Sequence, residues 1–403
     1  MKLLISLFVV ALTFSLPVRA EDNCKTASEA MKRASVIRKL TIKKSVPCFV
    51  RTKEEVRNYI LETIEKKIPP ARIEMEELVY KAVGFIPESY DYAKGVVDLY
   101  LSQLGGYYDP ERKHFVMAGW LPDMMQPTIA AHELTHALQD QYYNLGKMIE
   151  PSDDNSDAQL ARIGLVEGDA TAVMMDYLRE LSGQGPIAKE KDVNSFMLQN
   201  VLGMSLTAGM SDVPHSLQML LVFPYTSGLR FAHSLLLKDG YKSVDEAFKN
   251  PPRSTEEILH PEKYGTKKPD FITFTDEEVS KDGRGNEFKV IHRDTVGEFG
   301  ISIALSMFIE NKMSASEIAS GWGGDKIIVT ENADKKRAMV WRTHWDTPEK
   351  ATAFYDAYRE VLSKRFPDVD SKKYTGGDWI QSGASKLVKL HRSDLDVIVG
   401  IVL

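Results

Sequence analysis

Apolar residues recurring at every third or fourth position divide most of the first 250 residues into helices. The pattern predicts helices over 52–67, 71–83 and 88–102. Thr52 and Glu55 have the spacing of a capping box, and Pro69-Pro70 stop the first of these helices. Two apolar-aromatic runs flank Asp109-Pro110 within 104–119 and predict a β-hairpin. Helical periodicity resumes at 128–144, between Pro127 and Gly146. A polar loop (150–157) separates it from a helix at 158–181, and helices follow at 187–205, 214–223, 227–238 and 243–249.

The pattern changes after "NPPRSTEEILHPEKYG" (250–265), which reads as an ordered loop or short helix. Residues 269–300 are strand-like and place a boundary near 270–290. Beyond it, helices at 298–311, 314–320 and 347–364 alternate with strands at 326–330, 338–345, 386–391 and 396–402, and "GWGGD" (321–325) reads as a turn. The expectation is an α+β protein. A mostly helical N-terminal domain with a small hairpin or sheet fills 21–270, and a small ferredoxin-like α+β domain fills 271–403.

The first twenty residues stand outside that fold. "MKLLISLFVVALTFSLPVRA" has one lysine, a long apolar run, and Val18 and Ala20 at the −3 and −1 positions of a signal-peptidase site. The apolar run is shorter than the roughly 20 residues a spanning helix needs, so residues 1–20 read as a secretory signal and the mature chain as exported, with no membrane span. Cys24 and Cys48 are the two cysteines, and in an oxidising compartment a disulfide between them is expected. A net charge of −6 gives no support to a nucleic-acid partner.

The chemistry concentrates in "IAAHELTHALQDQYYNL" (129–145). On a helix, positions i and i+4 share a face, so His132 and His136 can present imidazoles to one ion. A catalytic Zn²⁺ keeps three protein ligands and one open position. Glu133 lies about 100° round the helix from His132, where its carboxylate can act as a base on water. Glu167 is the candidate third ligand. Its helical neighbours are mostly apolar or small, and a carboxylate buried there needs a counter-charge, from a metal or from an arginine such as Arg162. Gly164 and Gly168 would let that helix approach the His132 helix closely, and Asp169 and Asp140 are candidates to orient the imidazoles. The strand 114–118 is a candidate edge for extended substrate. Tyr225, Arg230 and His260 are candidate donors to an oxyanion, each with a plain structural alternative. His233, on an apolar face, and Trp322, Trp341 and Trp345 read as core.

At His132, Glu133, His136 and Glu167 the chain resembles zincin metallopeptidases of the gluzincin branch, the group that includes thermolysin. Metzincins would carry glycine and histidine at 139 and 142, where this chain has Gln139 and Tyr142. "AHELTHALQDQYY", "LVEGDAT", "PPRSTEEILHPEKY" and "GWGGD" with "WRTHWDT" also resemble segments of an exported bacterial metallopeptidase-like family. The resemblance implies a zincin-like catalytic domain, a Zn²⁺ cofactor, Glu133 as the water-activating base, and a peptide or protein substrate. It departs from thermolysin after Glu167, where Gly-Asp-Ala replaces the longer spacing to an aspartate. The alternative is a zinc-bearing binding or structural protein of the cell envelope that does not catalyse.

Overall fold

In the computed structural model the described residues are 20–67, 69–95, 97, 105–152, 154–194, 213–266, 268–270, 272–274, 288–310, 312–367, 379–382 and 386–402. The signal segment (1–19), the 98–102 part of the helix expected at 88–102 and the 195–205 part of the helix expected at 187–205 lie outside them.

The N-terminal sheet has three strands in the order β1-β3-β2: β1 (Cys48–Arg51), β2 (Gly106–Asp109) and β3 (His114–Ala118). β1 runs parallel to β3 and β2 antiparallel to it. The expected hairpin is present, but β3 is the central strand, paired on both sides. Strand 114–118 is therefore no edge, and substrate cannot add to it. Alternation along β2 and β3 gives the sheet two apolar faces. Tyr107 and Val116 meet Val56 and Ile60 of helix α2 (Lys53–Lys67) on one side. On the other, Tyr108, Phe115 and Met117 join the main N-terminal core. The capping box predicted for α2 forms: Thr52 N donates to Glu55 Oε2 at 2.8 Å, and Glu55 N donates to Thr52 Oγ1 at 3.3 Å.

That core is built on helices α1 (Ala20–Arg38), α4 (Gln126–Tyr143), α6 (Ser156–Leu181) and α7 (His215–Asp239); α3 (Pro70–Val83) and the one-turn α5 (Leu145–Met148) precede and follow α4. α1 is not among the expected helices, and a disulfide between Cys24 and Cys48 ties it to β1. α4 ends at Asn144, whose left-handed φ of 54° caps the helix two residues before the expected Gly146. α6 starts at Asn155, whose side chain accepts from Ala158 N. α7 is one continuous helix through Pro224, in place of the two expected.

After α8 (Tyr241–Lys249) and α9 (Thr255–Leu259) the chain crosses to the C-terminal layer. Its strands are β4 (Lys289–Asp294), β5 (Trp322–Glu331), β6 (Arg337–Trp345), β7 (Trp379–Ser382), β8 (Lys386–Ser393) and β9 (Asp396–Val402). They form one sheet in the order β4-β5-β6-β9-β8-β7, and every pair is antiparallel. The α+β class is as expected. The strand order is not that of a ferredoxin-like layer, whose split βαβ units need parallel neighbours. "GWGGD" is not a turn: β5 starts at Trp322 and absorbs the glycines as a bulge.

One face of this sheet packs on α10 (Gly297–Ser306), α11 (Lys312–Ala319) and α12 (Pro348–Arg365). Trp322, Trp341 and Trp345 are buried there, as expected of core residues. Trp322 and Trp341 each donate an indole N–H to the buried Asp325. Val79, Ala82 and Val83 of α3 belong to this second core, so the boundary near 270 does not separate the two cores. Among the described residues no helix is long and apolar enough to cross a membrane.

Candidate metal centre

Two stripes of α4 do different work. His132, His136 and Gln139, at i, i+4 and i+7, face α6. Glu133 and Asp140, also seven apart, face β2. The helix is buried along most of its length, so each polar group on it needs a defined partner.

Towards α6, His132 Nε2 lies 3.1 Å from Glu167 Oε2, His136 Nε2 lies 3.3 Å from the same oxygen, and the two nitrogens are 3.2 Å apart. The three atoms form a nearly equilateral triangle, and all three residues are buried. Ligands about 2.0–2.1 Å from a tetrahedral Zn²⁺ stand about 3.3 Å apart, so the donor set and its spacing both fit that ion. The electrostatics point the same way. Burial alone would raise the Glu167 carboxyl, but the His136 charge beside it holds it well below the usual range. Burial would lower His136, but Glu167 pushes it up instead. His132 stays low because burial outweighs its bond to Glu167. The opposed shifts of His136 and Glu167 show that the buried carboxylate calls for positive charge at the triangle, which a cation held there would supply.

The tautomer of His136 is set by its other nitrogen. Nδ1 lies 2.8 Å from Gln139 Oε1. Gln139 Nε2 donates to Val166 O at 3.0 Å and to Asp169 Oδ2 at 2.9 Å. Its amide is thereby oriented with the oxygen towards His136, so Nδ1 carries the hydrogen and the Nε2 lone pair turns to the triangle. Arg38, at the end of α1, donates from Nε to Asp169 at 2.8 Å and from Nη1 to Asp245 at 2.8 Å. Arg38 is fully buried, and although burial opposes its charge, Asp169 and Asp245 hold it protonated.

Asp169 therefore acts on His136 through Gln139 rather than directly. Asp140 orients no imidazole: it accepts from Tyr108 OH at 2.8 Å, Lys113 Nζ at 2.6 Å and Leu145 N at 3.1 Å. Glu133 Oε2 accepts from the backbone N–H of Tyr108 at 3.0 Å. Tyr108 thus grips α4 twice, through its main chain at Glu133 and its phenol at Asp140. In the register of β2 on β3, that N–H belongs to the outer edge of β2.

Glu167 is placed by an unusually close helix crossing. A Cβ on Gly168 would lie 2.1 Å from Gly228 O, and one on Gly228 would lie 2.2 Å from Gly164 O. These glycines allow α6 to approach α7, not α4 as expected. The same crossing brings Tyr225 of α7 to the centre, its ring centroid 6.2 Å from that of His132. His260 is elsewhere engaged: the loop after α9 packs under α10, and His260 Nε2 bonds Glu298 at 2.8 Å. Arg230 is exposed and bonds Asn194. His233 Nε2 bonds the carbonyls of Ile187 and Glu190, a satisfied core histidine. Arg162 makes no pair with Glu167, whose partners are the two histidines.

Against known proteins, residues 287–401 match a family described as a domain of unknown function, DUF8575. This is the C-terminal sheet layer, beginning just before β4. No curated protein matches the chain. Among solved structures the chain is similar to a Chloroflexus aurantiacus protein described as "a putative hydrolase with a novel fold", at 14% identity and a TM-score of 0.37, over 62% of this chain and 91% of that one.

Proposed function

We propose that this chain is an exported, zinc-dependent peptidase. The observation that carries the reading is the triangle of His132 Nε2, His136 Nε2 and Glu167 Oε2, with sides of 3.1–3.3 Å, beside a carboxylate that is not part of it. His132, His136 and Glu167 would hold the ion. When bound, Zn²⁺ supplies a Lewis acid that polarises a carbonyl and makes water acidic near neutral pH.

The protein's own groups would do the rest. Gln139 keeps the hydrogen of His136 on Nδ1, so that Nε2 stays a ligand. The Tyr108 N–H fixes Glu133 through Oε2, and Oε1, the oxygen not committed to Tyr108, takes a proton from water and delivers it to the leaving amine. Tyr225, placed beside His132, is the proposed donor to the oxyanion. Burial of these groups in a low-dielectric setting strengthens each of these interactions. The signal-like first segment and the Cys24–Cys48 disulfide favour an exported setting.

A structural zinc site has no use for a carboxylate placed as Glu133 is, and this favours catalysis over the non-catalytic alternative. Casein and peptide-library digestion by wild type and Glu133→Gln tests it. Zinc-dependent cleavage by wild type, lost in a Glu133→Gln protein that still binds zinc, supports the reading. Equal inertness of two zinc-loaded proteins overturns it.

A further inference from the structure

The peptidase reading assigns no task to the C-terminal layer, yet that layer reaches the helix crossing on which the metal centre is built. α10 opens at Gly297, where φ is +75° and a Cβ would lie 1.8 Å from Asp157 Oδ1 of α6. Two residues on, Phe299 meets Phe223 of α7 with ring centroids 4.1 Å apart, and it packs against both cores. Phe299 N donates to Thr255 Oγ1 at 3.1 Å, and that hydroxyl donates to Asp157 Oδ1 at 2.5 Å. From α9, Ile258 stands 3.6 Å from where a Cβ on Gly164 would be. Ile258 and Phe299 therefore press on α6 and α7 beside Gly164 and Phe223. This is the crossing that sets Glu167, and Tyr225 lies two residues beyond Phe223.

The end of α9 is held to α10 by one charged couple. His260 Nε2 lies 2.8 Å from Glu298 Oε1. The Glu298 side chain is 3% exposed, and its Oε2 is buried with no hydrogen bond among the described residues. The His260 side chain is 27% exposed, so solvent protons reach the couple through the imidazole. The charged groups around it are mostly acids. Glu262 lies 3.7 Å from His260 Nδ1, and Lys263 is committed to Glu256 at 2.6 Å. Behind Glu298 stand Asp157 of α6 and Asp325 of β5. A buried carboxylate that loses its partner's charge is strongly disfavoured. The bond to Glu298 and its charge hold His260 above its ordinary value. The stability this gives is complete below the unfolded value of 6.5 and is lost as pH climbs through the folded one.

We propose that the His260–Glu298 couple is a proton-operated latch on the metal centre. With His260 charged, α9 and α10 are clamped on the α6–α7 crossing and the ligand triangle stays tight. When His260 loses its proton, the stranded Glu298 charge loosens the clamp and zinc affinity falls. The proposal rests on the peptidase reading for the ion alone. His260 is a positioning residue here, and touches neither ion nor substrate.

The test follows His260 by NMR and zinc by chelator competition in the full chain. In zinc-free protein, Glu298→Gln should lower the His260 titration midpoint by about one pH unit. His260→Gln keeps an N–H for Glu298 but no charge. It should bind zinc about tenfold more weakly than wild type at about pH 6, and equally at about pH 9. Adding Glu298→Gln removes the stranded charge and should restore affinity at about pH 6 to within about threefold. By reciprocity, zinc should raise the His260 midpoint of wild type by about one pH unit, opposite in sign to the effect of the ion's own charge. A midpoint that ignores Glu298 or zinc, an affinity ratio that is flat with pH, or no recovery in the double variant would overturn the latch. Wild type that binds no zinc removes the peptidase reading instead. Amide protection over 255–260 and 297–303 then decides the latch: it should drop in His260→Gln at about pH 6 and return in the double variant, and unchanged protection would overturn it.

Discussion

Gln139 shows how much of the centre depends on a residue that binds no ion. Its side chain accepts from His136 and donates to Asp169, which Arg38 holds in turn. Gln139→Ala leaves the hydrogen of His136 undirected and should weaken zinc binding by about 10–100-fold, measured by competition with a chromogenic chelator. Arg38→Ala should act in the same direction through Asp169, whereas an Arg38→Lys variant, which keeps the charge, should recover part of the loss. Glu133→Gln should leave zinc affinity unchanged and lower turnover by about 10²–10⁴-fold. The cluster of His132, His136 and Glu167 was legible because spacing on a helix is fixed by its pitch: His132, Glu133 and His136 needed only one helix, and Glu167 only one buried carboxylate. Gln139 lies on the same helix, three residues beyond His136, yet its role depends on Asp169 and Val166, which only the packing of α6 against α4 supplies. The partner of His260 was out of reach for the same reason. Nothing local to "LHPEKY" announces Glu298, 38 positions away.

At the scale of elements, the crossing of α6 and α7 sets where Glu167 stands. Gly228 has room for no side chain against the Gly164 carbonyl. Gly228→Ala should force the helices apart, cost about 3 kcal/mol in a denaturant melt and reduce zinc affinity as Glu167 withdraws. At Gly183 an added Cβ would meet nothing within 4 Å, but φ is +68°, so alanine should be tolerated better there, at the cost of backbone strain alone. Helices with clear caps and periodicity were legible to within a few residues, as α2, α6 and α12 show. Where the sequence misled, a local signal yielded to packing. Two helices were expected at 214–223 and 227–238, but α7 runs unbroken through both, with Pro224 inside it. Gly323 and Gly324 looked like a turn, but the bulge in β5 and the pairing with β6 keep them in a strand. Strand 114–118 was legible, and its place at the centre of the sheet was not, because β1 is a four-residue strand far away in sequence.

Across the whole molecule, the buried Asp157 ties α6 to the C-terminal layer and the buried Asp325 braces that layer from within. Asp157 of α6 accepts from Thr255 N and Oγ1, and its own N–H donates to Thr295 O. Asp325 takes the N–H groups of Val296 and Gly297 and the indoles of Trp322 and Trp341. Burial pushes the Asp157 carboxyl well above its usual value, with the nearby Asp325 and Glu298 charges adding to the rise. A carboxyl raised on folding stabilises the fold below its unfolded value of 3.8 and loses that contribution as pH climbs through the folded value. Asp157→Asn should therefore gain stability relative to wild type as pH rises from 4 towards neutrality, a trend that melting temperatures across that range would show. Opening the Cys24–Cys48 link should cost about 3 kcal/mol by loop entropy, and α1 carries Arg38, so the reduced protein should also bind zinc less tightly. The centre thus draws on α1, β2, α4, α6 and α7 together, and one determination bears on all of them. Zinc titration of the purified chain, monitored by calorimetry with elemental analysis, should give one ion per chain, abolished in His136→Ala and in Glu167→Ala. A stoichiometry of zero, or one that survives both substitutions, would contradict the account.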